Sequence, residues 1–426
     1  VKIGVFGRSP WSRTCRLAGH CPVELPFPEA TVEDVAARLR RGRAVWEQHP
    51  NVDFLLDLIA TGLQFVPEPG DSAAGPRLAL LHERLGVPLV SHFGDPVWSC
   101  LRPLPLEVRW SVLQSRTWHK FVSDRADAHE LRQFGVPNVH HLPLAVAEYE
   151  FDTRPLDPGQ FEVPISFVGS QAGTYFYPGR LQAAQFQLAG VLAHAYRASR
   201  PQATFYEIYH EVYGLAEPPA PQDSPAQRAA KMENYYNAKL FYMAALWMAQ
   251  RDRFVIFLKR RLPDHFRIVG RRWSEAYGLP ADPPIPDYLE YLRGFRRCAI
   301  NLNCVSGNAE TGLNLRAFEI TAAGGFLLHR RQPELAECFE IGRECEAFDD
   351  EAELLDKCRY YLAHPQRIVE IALAGQQRTL REHLTLHRLE RISAVAAAAG
   401  AVRARESAES PSARPGSRPT RAESHS

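Results

Sequence analysis

Gly312-Leu313-Asn314-Leu315-Arg316-Ala317-Phe318-Glu319-Ile320-Thr321-Ala322-Ala323-Gly324-Gly325-Phe326-Leu327-Leu328 reads as a loop, a short helix, a glycine stop and a buried strand. Leu315, Phe318 and Ala322 fall on one helical stripe. Arg316 and Glu319 stand three apart, so both project from a neighbouring face near the helix start. Gly324-Gly325 ends the helix. A helix that starts after a Gly/Asn loop presents free backbone N–H groups and a positive dipole end, which suits a phosphate. A carboxylate one turn further in is then placed for the hydroxyls of a ribose. The same residues also read as a surface ion pair, Arg316 with Glu319, beside a simple glycine cap.

Working outward, residues 1–150 alternate strands and helices. Lys2 to Phe6 is a strand, and Thr31 to Glu47 a helix with Thr31 as N-cap. The apolar run Asp53 to Ile59 is a buried parallel strand. Pro76 to Leu85 is expected as a helix, and Val87 to His92 and Phe121 to Ser123 as strands. This alternation predicts a parallel sheet with helices on both faces. Residues 151–164, rich in Pro and acid, read as a linker. A second αβ domain is expected over 165–375, with a helical insertion at 181–251. Its aromatics, among them Phe205, Tyr209, Tyr235 and Tyr242, read as packed core; a membrane-surface face is the alternative. A C-terminal helix over 376–400 is expected to pack back on the first domain. Residues 402–426 lack apolar periodicity and read as a disordered tail.

The 426 residues suit two domains, and 45% hydrophobic content supplies ordinary cores. Net charge is +1, which gives no reason to expect nucleic acid. No apolar run is long enough for a transmembrane segment. The opening Val1-Lys2-Ile3-Gly4-Val5-Phe6-Gly7 is a strand and a turn, not a signal peptide. The eight cysteines form no C-x-x-C pair, so they read as reduced thiols of a cytoplasmic protein. There is no Gly-x-Gly-x-x-Gly fingerprint, Walker loop, Gly-x-Ser-x-Gly elbow or zinc helix, and no cofactor or metal is expected.

The stretch continues a series of spaced signals: Ile300-Asn301-Leu302-Asn303, Arg316-Ala317-Phe318-Glu319, Gly324-Gly325-Phe326, Phe348-Asp349-Asp350, Tyr360-Tyr361-Leu362-Ala363-His364-Pro365, and Gly375 with Arg378, Glu382 and His383. Over roughly residues 285–392 this order resembles the C-terminal half of bacterial GT-B glycosyltransferases, in particular the group-1-like domain of spore-maturation-type proteins. Ile165 to Ser170 and Phe266 to Gly270 resemble two further strands of that domain. The resemblance implies an α/β fold of two Rossmann-like doubly wound domains facing a cleft, acceptor in the first and nucleotide-diphosphate sugar in the second. It implies that Glu319 binds the donor ribose. It also makes Arg316 and the backbone of Gly312, Leu313 and Asn314 candidates for the diphosphate, with Gly169, Ser170 and Arg180 beside them. Related transferases carry a second glutamate where this chain has Thr311, and Glu310 is displaced by one. Tyr288 and Tyr291 fall near the expected base, for stacking or for packing.

In the first domain, Gly7-Arg8-Ser9 ends the opening strand as a small loop toward the cleft. His92 and Asp95 end another strand and are candidate general bases for an acceptor hydroxyl. Asp95-Pro96 reads equally as turn chemistry, and Ser123-Asp124 as a helix N-cap. The expected activity is metal-independent, retaining transfer of a hexosyl group to a glycan, lipid, protein or small-molecule acceptor. A sugar-binding scaffold and a nucleotide-sugar epimerase are the alternatives.

Overall fold

The computed structural model describes residues 1–6, 10–26, 34–67, 78–171, 184–197, 199–200, 203–213, 220 and 222–409. Gly7-Arg8-Ser9, Thr31, Pro76, Arg180 and the tail beyond Glu409 lie outside them.

The first sheet has six strands, all parallel, in the order β2-β1-β3-β6-β7-β8. These are β1 (Lys2–Phe6), β2 (Cys21–Leu25), β3 (Phe54–Leu58), β6 (Leu89–Phe93), β7 (Trp118–Val122) and β8 (Val139–His141). Between β3 and β6 a small antiparallel pair, β4 (Phe65–Pro67) with β5 (Leu78–Leu80), closes one side. The central strands are buried along nearly their whole length, as a sheet covered on both faces requires. The second sheet is also parallel, in the order β10-β9-β11-β12-β13. Its strands are β9 (Val163–Val168), β10 (Phe266–Val269), β11 (Cys298–Asn303), β12 (Leu327–Arg330) and β13 (Glu346–Phe348). In each sheet the strand order reverses beside the first strand, and such a switch point opens a crevice at the carboxyl ends. The carboxyl-end loops of the two sheets meet: Asn308, after β11, donates to Asp95, after β6, at 2.5 Å. Two Rossmann-like units facing one another in this way form a GT-B fold.

Local differences from the sequence reading have physical causes. The first long helix is Val35–Glu47, and its N-cap is Asp34, whose carboxylate accepts from the Ala37 amide. Leu78–Leu80 is a strand rather than the start of a helix, because it pairs with β4. β9 starts at Val163, inside the expected linker, because Val163 pairs with Cys298. The last helix, Thr385–Glu409, runs past residue 402, where a disordered tail was expected; Ala, Arg and Glu in that stretch are strong helix formers.

The helices inserted after β9 do not pack on the sheet they interrupt. Phe205, Ile208, Met232, Tyr235 and Tyr242 share one core with Trp98, Leu131 and Phe134 of the first unit. Trp98 stacks on Tyr236 at 5.7 Å, and Glu233 accepts from Trp98 Nε1 (2.9 Å) and Arg109 (2.7 Å). The insertion therefore belongs to the second half in sequence and to the first unit in packing. The terminal helix also returns to the first sheet, where Leu389, Ile392 and Ala396 bury against Ile3, Val5 and Trp11.

Candidate functional site

β11 ends on Asn303, which is buried, and a loop then leads to the helix Leu315–Ala322. The helix start is pinned to the strand end by two amides. Asn303 donates to Asn314 at 2.8 Å and Asn314 returns a bond at 3.2 Å. Asn314 is also the N-cap, accepting from the Ala317 amide at 3.3 Å. One turn on, Glu319 is buried. Its carboxylate is held by two tyrosines rather than by Arg316: Tyr288 donates to Oε1 at 2.7 Å and Tyr291 to Oε2 at 2.6 Å. Both come from the helix Tyr288–Arg296, capped by Asp287, and their rings stack at 5.6 Å. Burial, then the Glu319 charge, raises Tyr288 well above the ordinary phenol range, so it stays a donor. A carboxylate has about four acceptor positions, so two remain for a ligand. Tyr288, Tyr291, Asn314, Arg316, Glu319 and Ser306 line a cavity of about 490 Å³. A second cavity of about 510 Å³ lies on the linker side, around Arg13, Tyr149 and Arg296. It is away from the carboxyl ends of the strands, so the first is the candidate site.

The switch point itself is formed by the end of β9. The Gly169 carbonyl accepts from Trp273 Nε1 at 2.7 Å, and Ser170 Oγ from the Arg271 amide at 3.0 Å. A Cβ placed on Gly169 would lie 3.7 Å from Arg316 Nη1, so Gly169, Ser170, Arg316 and Glu319 come together. Arg251, which sequence reasoning missed, joins them. It donates to the Ser170 carbonyl at 2.9 Å and lies over Trp247 at 4.2 Å and Trp273 at 5.4 Å. Burial lowers its pKa, opposed by the Asp252 carboxylate, to which its Nε donates at 2.8 Å. Arg251 is presented by a π-helical turn, Met248–Asp252. Helical periodicity carries no sign of such a turn, although such turns frequently occur at functional sites. Gly270 closes the loop from below: a Cβ there would meet the Gly169 carbonyl oxygen at 2.3 Å. Gly270→Ala is expected to cost about 1–3 kcal/mol by overpacking and to weaken ligand binding at the switch point. Urea unfolding and a donor titration check this.

The loop before the helix is engaged differently from the expectation. Asp124, after β7, caps its own helix, accepting from Ala126 at 2.8 Å. Its other oxygen accepts from the amides of Glu310 (2.6 Å), Thr311 (3.0 Å) and Gly312 (3.2 Å). The Gly312 amide expected to face a diphosphate is thus occupied by a carboxylate of the first unit. Leu313 is buried in the core beneath the helix. Glu310 points away from the cavity and lies buried between Lys239 Nζ (3.1 Å) and the Phe205 amide (2.7 Å). Glu334 extends the same junction, accepting from the Arg125 amide (2.9 Å), Thr311 Oγ1 (2.7 Å) and His141 Nε2 (2.8 Å).

Of the first-unit candidates, Asp95 is exposed and holds Asn308 across the cleft. His92 is buried, with Nε2 against the Leu142 carbonyl at 3.0 Å and its ring beside Trp11. It therefore serves packing, not an open base position. Burial, first of all, lowers its pKa to about 4. A histidine whose folded pKa lies below its unfolded value stabilises fully above about pH 6.5 and loses that contribution as pH falls toward 4. Gln can keep the donor to Leu142 without titrating. His92→Gln is therefore expected to lose less stability than the parent between pH 7 and pH 5, read from urea midpoints. Gly7-Arg8-Ser9 and Arg180 lie outside the described residues. Among the described residues no group of three or more His, Cys, Asp or Glu is placed to hold a metal ion. No described helix is long and apolar enough to cross a membrane.

No curated protein matches the sequence. Among solved structures the chain is similar to Anabaena Alr3699/HepE in complex with UDP-glucose, at 10% identity over 92% of this chain and 99% of that one, TM-score 0.46. It is similar to sucrose-phosphate synthase from Thermosynechococcus elongatus at 10% identity over 96% and 100%, TM-score 0.42. It is also similar to T4 phage BGT in complex with its UDP-glucose substrate at 10% identity over 89% and 95%, TM-score 0.42. Residues 251–394, which carry Arg251, the paired tyrosines, the capped helix and Glu319, match the family described as "Glycosyl transferase-like".

Proposed function

We propose that this protein transfers a hexosyl group from a nucleotide-diphosphate sugar to an acceptor, without a metal and with retention of configuration. The observation that carries the reading is Glu319: a buried carboxylate, fixed by two tyrosine hydroxyls, at the head of a cavity beside the switch point of a parallel sheet. Its remaining acceptor positions suit the two hydroxyls of a ribose. Arg316, which lines the cavity, then stands toward the diphosphate, whose departure needs fixed positive charge at the leaving oxygens. A guanidinium supplies paired donors for phosphate oxygens, and Arg316 Nε has no hydrogen-bond partner among the described residues. This cation supports a metal-independent route. Gly169 and Ser170 bring backbone close to the same point. Asp95 is the group we place on the acceptor side, as base or as positioning residue. The eight cysteines are all free thiols, in keeping with a cytoplasmic protein.

Incubation with UDP-, GDP- and dTDP-sugars tests the proposal. Slow release of nucleoside diphosphate, unaffected by a chelator, is the expected result. Interconversion of the donors would indicate an epimerase, and binding of no donor would remove the proposal. Once an acceptor is found, the anomeric signal of the product decides between retention and inversion.

A further inference from the structure

The linker-side cavity, of about 510 Å³, draws its wall from three places: Arg13 of the first unit, the linker around Tyr149 and Asp152, and the helix Tyr288–Arg296 of the second unit. That helix turns different sides to the two cavities. Leu289, Leu292, Arg293 and Arg296, at i, i+3, i+4 and i+7, line the linker cavity. Tyr288 and Tyr291 line the Glu319 cavity. The two cavities also share a ring contact, since Tyr149 packs on Tyr288 at 5.2 Å.

Charge in the linker cavity is unbalanced. Four arginines line it against two carboxylates, Glu150 and Asp152. Asp152 is already held by both prongs of Arg154, at 2.9 and 2.7 Å. Arg296 donates to the carbonyls of Asp152, Ala323 and Arg154. Arg293 pairs with Glu290 at 2.6 Å. Arg13 is left. It lies over the Tyr149 ring at 6.0 Å and makes no hydrogen bond or ion pair among the described residues. Glu148, next to Tyr149 in the chain, accepts instead from Thr14 Oγ1 and the Leu386 amide, both at 2.5 Å. A guanidinium that lines a cavity without a counter-ion fits an anion. Tyr149, Phe151, Leu289 and Leu292 give the same cavity an apolar side, which fits the ring of a molecule carrying that anion.

We propose that the linker cavity is an effector site for a small phosphate monoester with a ring body, a sugar phosphate or a nucleoside monophosphate. The phosphate sits on Arg13 and the ring on Tyr149. A ligand there presses Tyr149 onto Tyr288 and so steadies the hydroxyl that Tyr288 donates to Glu319 at 2.7 Å. Binding at Glu319 is tightened in return. This coupling rests on the reading of Glu319 as a donor-binding group; the site itself does not.

The test begins with Glu319→Ala, which silences the first cavity, so that calorimetric titration reads the linker cavity by itself. Inorganic phosphate, glucose 6-phosphate and AMP are the probes. One of the two esters is expected to bind at least about tenfold more tightly than inorganic phosphate. Arg13→Ala is expected to weaken that ester at least about tenfold, and Glu150→Gln to strengthen it about twofold by removing a like charge. Arg13 and Glu150 are both exposed, so the fold should survive, which thermal unfolding checks. In the parent, saturating ester is expected to tighten the sugar nucleotide that binds best at least about fivefold, and Arg13→Ala to abolish the effect. No ester binding, or binding that Arg13→Ala leaves unchanged, overturns the site. Unchanged sugar-nucleotide affinity overturns the effector role, and so does conversion of the ester to a glycoside, since the cavity would then hold an acceptor. Failure of every sugar nucleotide to bind removes the proposed function and the effector role with it, while the esters still report the site.

Discussion

Glu319→Ala is expected to weaken binding of a nucleotide-diphosphate sugar by at least about 100-fold while the fold survives. Two ribose hydroxyls bonded to a carboxylate are charge-assisted bonds, worth about 1.5–3 kcal/mol each; a 100-fold loss corresponds to about 2.7 kcal/mol. The tyrosine hydroxyls released from Glu319 face the cavity, where water can satisfy them, so little stability should be lost. Glu319→Gln sharpens the test. It keeps the shape and one acceptor oxygen, yet its amide nitrogen faces a tyrosine donor and offers no negative charge. We expect it to bind donor more weakly than the parent and more tightly than the alanine variant. Calorimetric titration with a donor from the panel, beside thermal unfolding, separates the two effects. Unchanged affinity in a folded Glu319→Ala protein would remove this carboxylate from the site.

Lys239→Met is expected to cost about 3–5 kcal/mol of stability, the loss usual when one partner of a buried ion pair is removed. Lys239 lies between the carboxylates of Glu130 (2.6 and 2.7 Å) and Glu310 (3.1 Å), all buried. Burial opposes its charge, but Glu130, Glu310 and Asp127 together hold its pKa above the ordinary lysine value. Without the ammonium the two glutamates face each other with nothing between. Since single domains hold only about 5–15 kcal/mol in total, the variant should show a large drop in urea midpoint and poor yield. Adding Glu130→Gln removes one of the stranded charges and is expected to restore at least about 1 kcal/mol, a coupling read from the double-mutant cycle. An unchanged midpoint in Lys239→Met would mean that the carboxylates take up protons at no cost.

The stretch from Gly312 to Leu328 was legible because its signals are local: an Asn cap, a helical stripe, a glycine stop and an apolar strand. The alternation of strands and helices gave both sheets for the same reason. What escaped depends on distant partners. Helical periodicity shows that Pro225–Trp247 has an apolar side, but not that this side lies on Trp98 and Phe134 of the first unit. Arg251 sits on a π-helical turn whose composition is that of any helix. The Gly312 amide looked free for a phosphate until Asp124, 188 residues earlier, was seen to hold it. The Arg316–Glu319 ion pair was a fair reading of spacing, and it lost to two tyrosines on a separate helix. The order of signals places Tyr288 and Tyr291 near the site, while their bonds to Glu319 depend on tertiary packing.

The interleaving of the chain limits how the molecule can be divided. The polypeptide passes from one unit to the other at the linker, back after β9, forward again at the turn before Phe254, and back once more near His383. Cutting it near residue 155 would strip the amino-terminal piece of Tyr235, Tyr242 and Leu389, which form part of its interior. Neither fragment is therefore expected to fold alone, since the carboxyl-terminal piece would carry those same residues uncovered.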